Sequence, residues 1–110
     1  MAYETVFENN LTGTKESKSF EGKVGSIIEL EINIKELIAN RHGSFQVIIQ
    51  ESEDNENFCD LAMTKVYNAA HLEKGDSFVF KKQKPYHRFQ LVIGDGNASV
   101  DVELKQNELN

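Results

Sequence analysis

The chain has little of what chemistry-bearing domains usually display. Its 110 residues include one cysteine, one proline and no tryptophan. The single Cys59 excludes an intrachain disulfide. It has no paired base beside it in "FCDLAMTKV", so it is expected to be a small buried hydrophobe and not a nucleophile. No apolar run approaches the roughly 18 residues of a membrane-spanning helix. The opening "MAYETVFENN" places acidic residues where a secretory signal needs a basic and then an apolar stretch, so the chain is expected to stay in the cytoplasm in which it is made. Basic residues are also short: 12 Lys and Arg stand against 18 Asp and Glu, a formal net charge of −6. A surface of that sign repels nucleic-acid phosphates and anionic lipid, and neither is expected as a direct partner.

Catalytic and metal-binding signatures are equally sparse. His42, His71 and His87 show no i, i+4 pair, and there is no CxxC element. His87 lies on the apolar side of its segment and is expected to be a neutral, hydrogen-bonded core or interface histidine. The loop "ESEDNEN" offers oxygen ligands at Glu51, Glu53, Asp54 and Glu56 but lacks the central glycine of an EF-hand, so a solvated hairpin loop is expected. There is no G-x-S-x-G elbow. "GDGNAS" has glycines only at 94 and 96, followed by a strand pattern where a phosphate site needs a helix N-terminus. Gly94 and Gly96 are expected to supply positive φ in a tight hairpin, with Asp95 and Asn97 tolerating it. No catalytic residue, metal ligand or cofactor is expected, and the reading is non-enzymatic.

What is present is alternation. In "SIIELEINI", Ile28, Leu30, Ile32 and Ile34 fall on one side and Glu29, Glu31 and Asn33 on the other, a period of two that gathers apolar side chains only in a strand. Phe45, Val47 and Ile49 repeat the pattern, as do Phe78 and Phe80, then Phe89, Leu91 and Ile93, then Val100, Val102 and Leu104. "FCDLAMTKV" adds a sixth strand with Cys59, Leu61 and Met63 on one face, and "YETVFENN" and "ESKSFEGKV" add weaker ones. In "IKELIANRHG", residues Ile34, Leu37, Ile38 and Arg41 have helical spacing before Gly43, predicting one or two helical turns. Turn-rich stretches punctuate the strands, and Pro85 stands at a strand entrance, where its missing N–H matters least. The expected fold is all-β: one β-sandwich domain over residues 1–110, of jelly-roll or Greek-key type with about eight strands. Residues 1–16 are expected to form an N-terminal arm or an edge strand.

The chain resembles the jelly-roll capsid-stabilising (cement or decoration) proteins of tailed bacteriophages. The resemblance covers roughly residues 44–104. An alternating strand runs into an "S-x-D-x-x-x-F"-like turn at Ser52, Asp54 and Phe58. A glycine, Gly75, then precedes an apolar strand, and a proline-led aromatic-basic strand follows at Pro85, Tyr86, Arg88 and Phe89, ending in a glycine turn at Gly94. The resemblance implies a virion protein on the capsid exterior that binds the major capsid protein lattice, stabilises the shell, and forms a dimer or trimer there. Lys81, Lys82, Lys84, Tyr86 and Arg88, from the basic stretch "KKQKPYHR", are the expected partner contacts. Two other readings remain open: a neck, stopper or tail-associated β-sandwich, and a non-catalytic carbohydrate- or peptide-binding module.

Overall fold

A computed structural model describes residues 3–38, 44–67, 75–94 and 99–109. Nine strands form among them: β1 (Glu4–Leu11), β2 (Lys15–Glu16), β3 (Phe20–Glu21), β4 (Ile27–Ile38), β5 (Ser44–Ser52), β6 (Cys59–Met63), β7 (Gly75–Lys81), β8 (Tyr86–Gly94) and β9 (Ser99–Glu108). One sheet has the order β1-β9-β4-β7; the other runs β2-β8-β5-β6, with β3 also on β8. Every pairing is antiparallel. Because β2 and β3 both lie along β8, they act as one interrupted strand, which leaves eight. The first then pairs with the eighth, the second with the seventh, the third (β4) with the sixth (β7), and the fourth (β5) with the fifth (β6). That is an antiparallel ribbon wrapped over on itself into two sheets: a jelly roll.

Alternation dictates what lies between the sheets. Ile28, Leu30, Ile32 and Ile34 of β4 and Val100, Val102 and Leu104 of β9 are buried against Phe45, Val47 and Ile49 of β5 and Phe89 and Leu91 of β8. Their intervening neighbours face outward, as a pleated strand requires. Residues 4–11 are an edge strand paired along β9, and Leu11 closes the core beneath it.

Three expectations are corrected. The segment 34–38 is strand and not helix. A register shift between Ile34 and Glu36 inserts one extra residue, so Ile34 stands opposite Val102 and Leu37 opposite Val100. A bulge thus imitates helical spacing, because the positions opposite the buried Val102 and Val100 fall three residues apart. Arg41 to Gly43 lie outside the described residues. Cys59 is exposed, with Leu61 and Met63 beside it. β6 is a sheet edge, and a second register shift places Ala62 opposite Ile49 but Asp60 opposite Gln50, which breaks the period of two at Leu61.

The third correction concerns "GDGNAS". β8 and β9 belong to different sheets, so this segment crosses the sandwich and is not a hairpin. Positions 95–98 lie outside the described residues. Gly94 itself has no positive φ; it stands opposite Ser44, and a Cβ at 94 would collide with the Ser44 Oγ. Close approach to the Ser44 hydroxyl, which would have to turn aside for a larger residue, and not a left-handed turn, is what favours glycine there.

Candidate functional site

The inward rows of five strands each end, at the same end of the sandwich, in a polar residue. Ser26 follows from Ile28 and Leu30, Glu51 from Val47 and Ile49, and Lys82 from Phe78 and Phe80. His87 precedes Phe89 and Leu91, and Gln106 follows Val102 and Leu104. All five are buried. Period two therefore carries polar side chains into the interior, and buried polar groups must find partners.

Three of them, Lys82, His87 and Gln106, do so in one chain. Lys82 Nζ donates to the Phe20 carbonyl at 3.3 Å and to His87 Nδ1 at 2.6 Å. His87 Nε2 lies 2.8 Å from Gln106 Oε1, and Gln106 Nε2 donates to Glu4 Oε1 at 3.2 Å. A lysine can only donate, so Nδ1 accepts and Nε2 carries the hydrogen that Gln106 receives. The imidazole is thereby fixed as a neutral tautomer between a cation and, beyond the amide, a carboxylate. Aligned donors of this kind polarise one another. Phe20 stacks on the His87 ring at 5.3 Å, while Phe80 and Phe89 meet it edge-on at 5.5 and 5.3 Å. Glu51 Oε2 accepts the backbone N–H groups of Gln83, at 2.8 Å, and of Lys84. The cluster ties β1, the β3 segment, β5, β8 and β9 together.

Burial pushes the Lys82 ammonium pKa down, against the attraction of Glu51, Glu108 and Glu21. Burial also pushes His87 down to about 4 from 6.5; the Gln106 hydrogen bond opposes this and the Lys82 charge adds to it. A histidine depressed in the folded state gives a definite sign. Between these two values the unfolded chain takes up a proton that the folded chain refuses, so stability falls as pH drops from 6.5 to about 4. The expected loss is on the order of 3 kcal/mol. Urea midpoints measured down this range check it, and His87→Phe is expected to flatten the upper part of the window, where carboxylates stay ionised.

The expected partner contacts are dispersed. Lys82 is corrected outright: it is 1% exposed and points between the sheets. The stretch "KKQKPYHR" reads as a solvated patch only if parity is ignored, and parity places Lys82 and His87 inside. Lys81 is exposed at the end of β7, and Lys84 is half-buried with its Nζ 3.5 Å from Cys59 Sγ. Tyr86 and Arg88 lie half-buried on the outer face of β8. Arg88 Nε donates to Gln50 Oε1 at 2.8 Å, and its guanidinium stacks 4.0 Å from the Phe58 ring centroid. Gln50 Nε2 in turn donates to Asp60 Oδ1 at 2.9 Å.

Phe58 reaches Arg88 because the loop before it is self-capped. Asp54 Oδ1 accepts the backbone N–H groups of Glu56 and Asn57, each at 2.9 Å, and the Ser52 hydroxyl at 2.8 Å. Asp54 Oδ2 accepts Asn57 Nδ2 at 2.9 Å, and Asn55 takes φ 63° to close the turn. The Asn57 and Glu56 amides, with Ser52 behind them, hold the Asp54 carboxyl well below the usual carboxylate range. The acidic loop spends this carboxylate on its own donors. Among the described residues no group of three or more His, Cys, Asp or Glu side chains is arranged to hold a metal ion. His42 and His71 lie outside the described residues.

The two halves of the resemblance motif therefore meet in space. Ser52 stands opposite Tyr86 in the β5–β8 register, and Phe58 lies under Arg88. Glu51 and Gln106, by contrast, escape any motif reading, although extending the inward rows by one step finds both. Comparison of the chain with protein-family models, with curated proteins and with solved structures found no match.

Proposed function

We propose that the chain is a non-catalytic bacteriophage decoration protein. In this reading it binds the outer surface of the major capsid protein lattice, as a dimer or trimer on the capsid exterior, and stabilises the shell. The observation that carries it is the convergence of Asp54, Phe58, Tyr86 and Arg88 on one side of a jelly roll, around a buried Ser52 that anchors the loop. These residues come from two segments far apart in sequence, and they are the ones on which the family resemblance rests. The loop is locked by its own hydrogen bonds and Arg88 is held by Gln50 and Phe58. A surface ordered before it binds loses less conformational entropy on docking. Arginine stacked on an aromatic ring is also the kind of side chain enriched at the centres of interfaces. Lys84, its Nζ 3.5 Å from Cys59 Sγ on the neighbouring β6, borders this face and suits acidic shell loops.

A protein that binds only the assembled lattice adds its association free energy to the stability of that lattice. Many copies acting together reinforce one another where subunits are linked. Copy number per purified particle tests the assignment. A shell protein follows lattice symmetry and reaches hundreds of copies, whereas about a dozen would assign the chain to a neck or tail ring. Its absence from particles would overturn the reading.

A further inference from the structure

Residues 20–25 lie across the polar end of the sandwich with little to hold them. Of the six, only Phe20 is buried, and Val24 is 51% exposed. β3 pairs with β8, through Phe20 opposite His87 and Glu21 opposite Tyr86. Beyond it, the Gly22 N–H donates to the Pro85 carbonyl at 2.9 Å and the Gly25 N–H to the Lys82 carbonyl at 2.8 Å. A short segment with one buried side chain and a few exposed hydrogen bonds belongs to the parts of a fold that open first.

The Phe20 anchor rests on two titratable side chains. Its ring stacks on His87 at 5.3 Å, and its carbonyl accepts Lys82 Nζ at 3.3 Å. The same segment covers Lys82. A Cβ on Gly22 would stand 3.5 Å from Lys82 Cε and 3.8 Å from Cδ, so the backbone at 22 lies against a lysine stem that is 1% exposed. Beside it opens a cavity of about 420 Å³, lined by Phe20, Gly22 and the exposed Glu21 and Glu108 among others.

A further proton on His87 has one place to go. Nε2 already carries the hydrogen that Gln106 accepts, so protonation falls on Nδ1, which lies 2.6 Å from Lys82 Nζ. Nδ1 then becomes a donor facing a donor, and the ring a cation facing a cation, in a buried site where like charges cannot both stay. The imidazolium is held by Gln106 and favoured by Glu4 behind it. The ammonium sits on a flexible stem and is drawn by Glu51, Glu108 and Glu21. Glu51 is already engaged by the Gln83 and Lys84 amides, which leaves the two carboxylates at the cavity. Lys18, over the Phe20 ring, completes the charged groups around the pair; β4 and β7 bring Ile28 and Phe80, which carry none. Lys82 is therefore the group that moves, and residues 20–25 lie in its way. We propose that residues 20–25 form an acid-released lid: a proton on His87 Nδ1 expels the Lys82 ammonium, and the lid leaves β8 while both sheets stay paired.

The test is an NMR titration of the full chain. It follows the His87 ring, the NOEs between the Phe20 and His87 rings, and the cross-strand NOEs between β4 and β9. The Phe20–His87 NOEs are expected to be lost with the same midpoint as the ring titration, at about 4, while the β4–β9 NOEs persist. In Lys82→Met, His87 is expected to protonate at higher pH and its NOEs to Phe20 to survive, because nothing is expelled. Gln106→Glu gives the imidazolium a carboxylate and is expected to move both midpoints up together; it serves if Lys82→Met does not fold. Carboxylates titrating on their own would give the same loss in both variants as in the parent chain, against the proposal. Phe20–His87 NOEs that outlast protonation of the parent ring, or that fail to follow the ring in Gln106→Glu, would overturn it. So would loss of the β4–β9 NOEs at the same midpoint.

Discussion

Phe89→Ala is expected to destabilise the fold by about 3–5 kcal/mol, the range of large aromatic truncations in well-packed cores. Phe89 is 0% exposed and lies at the junction of the two sheets. Its ring meets Phe20 and Phe80, each at 6.0 Å, and His87 at 5.3 Å, all in edge-on geometry. Alanine removes three aromatic contacts and leaves a cavity against the buried imidazole, which the facing strands of a closed sandwich are poorly placed to fill. For a domain whose whole stability is roughly 5–15 kcal/mol, such a loss lowers Tm by roughly 10–25 °C. Calorimetry or a urea midpoint reads it directly. Val79, on the outer face of β7 and 50% exposed, is the matched control. Val79→Ala is expected to change stability by no more than about 0.5 kcal/mol.

Glu51→Ala is expected to cost a similar amount, about 3–5 kcal/mol, by a different route. The carboxylate is 1% exposed and accepts the backbone N–H groups of Gln83 and Lys84, so it closes the turn between β7 and β8. Alanine leaves two donors without their acceptor, each worth about 1–3 kcal/mol when buried. It also removes a charge that favours the Lys82 ammonium. Glu51→Gln keeps one oxygen acceptor for the turn and loses only the charge, so about half the cost is expected to return. Equal losses in the two variants would assign the effect to electrostatics; no loss in either would show that the turn stands without its carboxylate. Denaturant titration of both variants in the same buffer separates these cases.

These two residues show how far the sequence could be read. Phe89 belongs to an inward row that alternation reveals at once, and the same holds for the rows of β4, β5 and β9. The sandwich follows from those rows because each has only one apolar face to bury. Glu51 sits on the same kind of row, one step past Ile49, yet an acidic residue beside "SEDNEN" reads as part of a solvated loop. Lys82 is hidden in the same way inside "KKQKPYHR". Composition judges such residues by their neighbours along the chain, whereas the pleat judges them by parity. Where a bulge interrupts the pleat, parity itself misleads: near Lys35 it produces helix-like spacing, and at Leu61 it turns the expected inner face of β6 outward. The wrapping of the ribbon was not legible either, because pairing between first and last strands depends on contacts that periodicity does not encode. Nor was the cavity at the polar end of the sandwich, since its lining is drawn from the first strands, from Lys82 and His87, and from the end of β9.

The shell-binding role is most directly tested by the thermal disassembly midpoint of capsids. Shells stripped of the protein are to be compared with shells to which it has been added back in increasing amounts. The midpoint is expected to rise with occupancy and to level off when lattice sites are full, with Arg88→Ala needing more protein to reach the same rise. A midpoint unchanged at full occupancy would contradict the stabilising role.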